Sequence, residues 1–247
     1  MVYRRTDVVG LDAAILMNPK VWEASGHVEA FTDPLVECKI CNQRFRADQE
    51  EILKEHETTH KGQKPAGGQH WTEPRKFNLL VEASLGVVED SKQKVYLRGE
   101  ITQGVHVNFK NVLDSTRQKI PFGIAQIGKA FRNEITPGNF TFRSREFEQM
   151  ELQFYSEPTD VESKKWYEYW KQQRFDWYVA LGINKKKLRL RQHEEDERAH
   201  YAKDAWDIEY DSPFGWKEFE GIHNRGDWDV KRHMEYSGED MTYFDQE

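Results

Sequence analysis

Apolar positions recur with a recognisable period in four parts of the chain. In residues 7–36, Val8, Leu11, Ile15 and Leu16 keep helix-like spacing up to Pro19, where a helix would stop. The turn-prone Ser25, Gly26 and His27 follow. Between Phe77 and Phe109, the segments NLLVEASLGVV, KVYLRGEITQG and VHVNFKN alternate over short runs and predict strands, with a helix starting near Thr102. Residues 161–182 predict a long helix: Trp166, Trp170, Phe175 and Trp177 lie on or near one stripe for a core to bury, and Gly182 ends it. Further on, AWDIEY and WKEFEGI alternate on either side of DSPFG and predict two strands around a turn.

The stretch Phe131–Tyr155, FRNEITPGNFTFRSREFEQMELQFY, breaks this pattern. Pro137, Gly138 and Asn139 signal a turn between two segments dense in aromatic and charged residues. On strands, Arg132 and Glu134 share a face, and after the turn Arg143, Arg145, Phe147, Gln149 and Glu151 keep the period of two. One face of such a hairpin carries three guanidiniums, two carboxylates and a ring, which no core wants. Either it is a solvated face laced with salt bridges, or the guanidiniums grip phosphate while the ring stacks on a base.

At 247 residues, with 37% hydrophobic and 13% aromatic, the chain is long enough to bury a core. Its 36 Lys and Arg against 43 Asp and Glu give a net charge of -7, so nucleic acid would have to be met by local basic patches. KKKLRLR at 185–191 is the densest such patch, either a phosphate contact or a solvated edge. No apolar run approaches the roughly 20 residues that span a bilayer, and MVYRRTD lacks the apolar core of a signal peptide, so a soluble cytoplasmic protein is expected.

Two cysteines in C-x-x-C form a poor disulfide framework and a better metal half-site. Cys38 and Cys41 are followed by His56 and His60 in the spacing C-x2-C-x14-H-x3-H. Thiolate and imidazole are zinc's preferred ligands, four of them close a structural site, and His56 and His60 would share one helix face. His70 is an alternative to one of the two histidines; the plainer reading is two free thiols and surface histidines. A Gly/Pro/Lys-rich loop, 61–73, closes the insertion at 37–73.

FRxE, a loop, then RxREF resembles motif 2 of the class II aminoacyl-tRNA synthetases. The words IGKAFRNEITPGNF, REFEQME, YLRGEITQGVHVNFKN and VVGLDAAILMNPKVWEASGHV narrow the resemblance to glycyl-tRNA synthetases of the bacterial single-polypeptide type, from about Asp7 to the last residue. The resemblance implies an α+β fold, an antiparallel sheet flanked by helices with a small zinc-finger-like insertion, and makes 1–247 a catalytic core lacking motif 3 and the anticodon-binding domain. It implies a homodimer packed through Pro19 of motif 1. It also implies ATP-dependent activation of glycine with Mg²⁺, transfer to the 3' end of tRNA(Gly), and one structural Zn²⁺.

By the same correspondence Arg132, Glu134 and Arg225 are catalytic. The ATP-binding set is Arg132, Asn133, Glu134, Phe142, Arg143, Ser144, Arg145, Glu146, Phe147, Glu218 and Phe219, and the glycine-binding set is Arg46, Glu100, Phe147, Glu148, Gln149, Met150 and Glu151. The chain departs from the family in having Gly99 for a proline, which would free the loop holding Glu100, and KPAGGQHWTEPRKFN where relatives place a second C-x-x-C. The alternative is a non-catalytic paralogue that binds nucleotide or RNA through the same face.

Overall fold

The computed structural model describes every residue except 64, 66, 139, 141, 200, 246 and 247, and of residue 89 the backbone only. In chain order the elements are β1 (Val8–Gly10), α1 (Lys20–Ala24), α2 (His27–Ala30), β2 (Thr32–Glu37), β3 (Arg44–Arg46), α3 (Glu50–Thr59) and β4 (Arg75–Asn78). They continue as β5 (Val81–Leu85), β6 (Gln93–Leu97), α4 (Thr102–Val107), α5 (Phe109–Thr116), β7 (Phe122–Phe131) and β8 (Glu146–Tyr155). Then come α6 (Asp160–Ala180), β9 (Leu188–Gln192), β10 (Asp204–Ser212), β11 (Gly215–Asn224) and α7 (Trp228–Ser237). The class is α+β, as the sequence predicts, with sheets ordered β1-β7-β8, β11-β10-β9, β3-β2-β4 and β5-β6. Pairing is antiparallel throughout the last three.

The chain divides into two compact units. The first comprises Met1–Val9, His106–Ile124 and Leu152–Glu247, the second Gly10–Val105 and Ala125–Glu151. In the first, the predicted strands around DSPFG form a hairpin whose register closes at Ser212 opposite Gly215. Ile208, Ile222 and Leu188 from this sheet are buried together, with Tyr167, Phe175, Tyr178 and Ile183 packed against them. The predicted long helix is α6; Thr159 caps its start by accepting from the Glu162 amide at 3.2 Å. Its sheet-facing stripe includes Tyr167, Lys171, Arg174 and Tyr178, and Arg174 holds Glu220 with two bonds of 2.7 and 3.0 Å. Trp177, assigned to the stripe from the sequence, is 36% exposed. Trp170 is buried and Phe175 packs on the sheet core as the stripe predicts, and the buried Arg174, paired in fork geometry, joins them.

The second unit packs Met17, Val28 and Phe31 around Trp22, Leu80 and Tyr96. Two expectations fail here. The apolar spacing of 8–16 is not a helix: Val8–Gly10 is strand, and residues 11–16 follow without regular structure. Its backbone is satisfied from outside, since the Ala13 amide donates to Gln126 Oε1 (2.7 Å) and Arg98 Nη1 donates to the Ala13 carbonyl (2.7 Å). Arg98 is 2% exposed, and its burial lowers its pKa. A buried side chain that supplies the segment's hydrogen bonds removes the need for a helix. The third run read as strand, VHVNFKN, lies in α4 and α5; α4 starts at Thr102 as expected.

Candidate active site

The loop between β6 and α4 is where predicted residues of the second unit meet. Arg132 Nε donates to the Gly99 carbonyl (3.0 Å), the Ile101 amide donates to Gln149 Oε1 (3.2 Å), and Thr102 Oγ1 donates to Glu151 Oε2. Three bonds within four residues thus tie this loop to the end of β7 and to β8. Glu100 sits in its middle, with Oε1 accepting from Gln103 Nε2 at 3.1 Å and lying 3.4 Å from His27 Nε2. The loop is not freed by its glycine: a Cβ on Gly99 would come within 2.9 Å of the Phe31 ring and 3.2 Å of Leu80. Glycine here permits a close approach.

Arg132 stands between two rings, its guanidinium carbon 5.2 Å from the centroid of Phe31 and 5.3 Å from that of Phe147. Such stacking fixes the plane of the guanidinium, which bidentate phosphate recognition requires. Glu134 is 5% exposed and accepts from Arg143 Nε at 2.8 Å, and its carbonyl accepts from Arg145 Nε at 3.3 Å. A buried carboxylate thereby holds one arginine and its backbone a second. Arg46 Nη1 lies 2.8 Å from Asp33, and its Nε and Nη2 reach Asp48 at 3.0 and 2.6 Å. Burial pushes the Asp33 carboxyl upward, while the bonds from Arg46 hold that of Asp48 low. Arg46 also feels the charge of Glu134, which puts it in the same electrostatic neighbourhood.

The remaining predicted residues divide. Along β8, Phe147, Gln149 and Glu151 are half-buried and Glu146, Glu148 and Met150 exposed, so the last three point to the opposite side of the strand. Glu146 pairs with Lys129 there, and its carbonyl accepts from Ser144 Oγ at 2.7 Å. Asn133 and Phe142 are exposed; Asn139 of the predicted turn lies outside the described residues. Glu218, Phe219 and Arg225 belong to the other unit. Phe219 stacks on Tyr210 at 4.8 Å and 15°, and Arg225 is held by Asp229 through bonds of 2.6 and 2.8 Å.

Two functional candidates escaped the sequence reading. Ser25, Gly26 and His27 are more than a turn: Gly26, at φ 74°, joins α1 to α2 and brings Ser25 Oγ to 2.8 Å from His27 Nδ1. The imidazole is boxed by Trp22 and Phe31 at 5.3 and 5.1 Å, which aims Nε2 at Glu100. The other is Asp33, a buried acid on β2 whose only sequence mark is its place before Pro34.

The cysteine and histidine pattern also comes together. The β2–β3 hairpin ends in Cys38, whose carbonyl accepts from the Asn42 amide at 2.8 Å. α3 presents His56 and His60 on one face, with Nε2 atoms 3.3 Å apart. The Lys39 amide donates to the His70 carbonyl (2.9 Å), and Cys38 bridges to Trp71, which brings His70 beside Cys38. Ligand atoms of Cys38, His56, His60 and His70 all lie within 4.8 Å of one another, while the exposed Cys41 has its sulfur 3.4 Å from His56 Nε2. Burial, with His60 and His70 nearby, lowers the His56 pKa and favours the neutral imidazole that metals bind.

Residues 82–242 match the family described as tRNA synthetase class II core domain (G, H, P, S and T). A "Glycine--tRNA ligase" of Treponema denticola is 55% identical across 100% of this chain and 53% of its own length. That of Caldanaerobacter subterraneus subsp. tengcongensis is 53% identical over 96% of this chain and 55% of its own. The chain therefore spans about half the length of these curated relatives. Among solved structures, the cytoplasmic serine-tRNA ligase of Naegleria fowleri in complex with AMP superposes with a TM-score of 0.55 over 90% of this chain and 41% of its own, at 13% identity, a likeness of fold alone. Among the described residues no helix is long and apolar enough to cross a membrane. With the family matching well over half of the sequence, this chain belongs to the class II tRNA synthetase core family.

Proposed function

We propose that the chain carries the adenylate-forming core of a glycine–tRNA ligase, which condenses glycine with MgATP and passes the glycyl group to the 3' end of tRNA(Gly) in a cytoplasmic homodimer. The observation that carries the reading is the Gly99–Thr102 loop. It sets a phosphate-gripping cation, Arg132, on the carbonyl next to Glu100 and fastens Glu151 two residues further on. Phosphate and ammonium are the two groups that must be brought together. In the first step the glycine carboxylate attacks the α-phosphorus and pyrophosphate leaves, while charge grows on equatorial oxygens that fixed cations stabilise. Arg132, with its plane set by two rings, faces that charge, and Glu134 keeps Arg143 and Arg145 in reach of the nucleotide. Glu100 and Glu151 hold the glycine ammonium. Phe147 offers the adenine a face.

The Cys38, His56, His60 and His70 cluster fits a structural zinc ion. In a tetrahedron with Zn–N near 2.05 Å, two nitrogen ligands stand about 3.3 Å apart. His56 and His60 stand at 3.3 Å, and Cys38 Sγ is 3.4 Å from His70 Nε2. Such a closed site leaves no place for a reacting water, so zinc would hold the β2–β3 hairpin and α3 together. Cys41 remains the competitor of His70 for the fourth position.

Glycine-dependent exchange of labelled pyrophosphate into ATP tests the ligase reading, with ATP binding measured alongside. Exchange with glycine and not with alanine or serine is the expected result. Normal ATP binding without any exchange would leave a nucleotide-binding paralogue in its place.

A further inference from the structure

In the basic run at 185–191, by sequence either a phosphate contact or a solvated edge, the two arginines are held in ion pairs. Arg189 is spent on Glu209 at 2.5 Å, and Arg191 meets Glu209, Glu197 and Asp207 at 3.1, 2.9 and 3.4 Å. A different set of cations in the same unit is arranged for a phosphate contact. Tyr201 and Lys203, Arg225, and Trp228, Lys231 and Arg232 of α7 line an open cleft of about 490 Å³, with Asp227 the single acid among its lining residues. Four cations against one acid is a local reversal in a chain of net charge -7.

We propose that this cleft binds phosphodiester groups of an RNA backbone. The helical period puts Trp228, Lys231 and Arg232 on one face of α7, three and four residues apart. The stem of Lys203 runs over Gly226, within 2.9 Å of where a Cβ would stand, and Lys203 lines the same cleft. Arg225 is the fixed member: its forked bonds to Asp229 and its stacking at 3.6 Å over Tyr201 hold it in place. The others are exchangeable. Lys231 and Arg232 pair with Asp227 and Glu235 at 2.7 and 2.8 Å, on side chains 71% and 31% exposed. Surface pairs of this kind contribute about 1 kcal/mol or less, so an incoming phosphate displaces the carboxylate readily. Tyr201 and Trp228, with ring centroids 6.2 Å apart, add stacking surface that a base beside the phosphate could use. An open groove lined by cations suits a polymer that lies along it better than a nucleotide enclosed by it.

The proposal takes from the ligase reading only that an RNA is a substrate, and the test separates the two. Binding of a tRNA(Gly) transcript and of a non-cognate tRNA is followed against salt for the chain, for Lys203→Gln/Lys231→Gln, and for a control of equal charge change on other helices, Lys110→Gln/Lys165→Gln. Arg232→Gln, a single change at a half-buried side chain, serves as a second cleft variant, and thermal midpoints confirm folding. Each lost phosphate contact removes about 0.7–0.9 from the slope of log K against log salt, so the double cleft variant should lose about 1.5 and the control much less. Loss of slope for both RNAs alike supports the cleft even if glycine-dependent exchange is absent and the ligase reading falls. A cleft variant that matches the control overturns the proposal while exchange still judges the ligase. A wild-type chain that binds neither RNA overturns it too. Inorganic phosphate or ATP bound at low millimolar concentration, lost in the cleft variants while RNA binding persists, would assign the cleft to a free phosphate instead.

Discussion

The Gly99–Thr102 loop and the cleft of α7 both gather charge, and they hold it differently. Around the loop, charged groups have several partners and much of the set is buried: Glu134 between two arginines, Arg46 between two acids, Glu100 between His27 and Gln103, Arg132 between two rings and a carbonyl. In the cleft, Lys231 and Arg232 have exposed pairs that solvent weakens. Fixed geometry costs entropy once, at folding, and serves a small ligand whose reacting atoms must meet within tenths of an ångström. Loose cations suit a long polyanion that is recognised mainly by charge.

The comparison breaks most decisively at Arg132. Replacing it by alanine removes the cation proposed to face the α-phosphate, and exchange should fall by roughly 10³-fold, about 4 kcal/mol. Arg132→Lys should lose nearly as much, because an ammonium cannot donate to the Gly99 carbonyl, stack between Phe31 and Phe147 and fork onto phosphate together. If the lysine variant keeps most of the exchange rate, fixed geometry is not what this loop contributes.

The metal cluster is the next largest test. Zinc analysis should give about one ion per chain, falling to near zero in Cys38→Ser and in His56→Ala, since three ligands hold zinc far less tightly than a closed set of four. Running His70→Ala beside Cys41→Ser decides the fourth ligand, and the expected loss is in the histidine variant. Unchanged zinc in all four proteins would remove the site.

A smaller effect is expected at His27. If it aims Glu100, His27→Ala should raise the glycine KM about ten-fold, roughly 1.4 kcal/mol, and leave the ATP KM nearly unchanged. Ser25→Ala should reproduce part of that split, because it frees the imidazole's other nitrogen. Equal rises in both KM values would point to a folding defect around Trp22 instead.

How much of this was legible follows from where each hydrogen bond goes. α6, the β10–β11 hairpin and the start of α4 are written in local periodicity and caps, and the sequence shows them. The period of two along Phe147, Gln149 and Glu151 is also real, and it separates them correctly from Glu146, Glu148 and Met150. What stayed hidden depends on distant partners. The irregular course of 11–16 rests on Arg98 and Gln126, more than 80 residues away along the chain. The pairing of His27 with Glu100, and of Arg46 with Asp33, likewise has no local trace. The two arginines of KKKLRLR carry no local sign of their partners, Glu209 and Asp207, which lie on the neighbouring strand.

The finest contrast lies within one ion cluster, where Arg46 holds a buried acid and an exposed one. The bonds from Arg46 keep the Asp48 pKa low, so its contribution is present above the unfolded value near 3.9 and is lost as pH falls through the folded one. With its side chain 47% exposed, that contribution is under about 1 kcal/mol. Asp33 has the opposite sign: burial raises its pKa, so its contribution is fully present below the unfolded value and declines as pH rises through the folded one. Thermal midpoints from pH 3 to 7 should therefore show Asp48→Asn converging on the parent protein toward acid. Asp33→Asn, offset by its lost contact with Arg46, should gain on the parent as pH rises. Parallel curves for the two variants would mean that Arg46 treats its partners alike, and that burial does not set the difference between fixed and exchangeable charge in this chain.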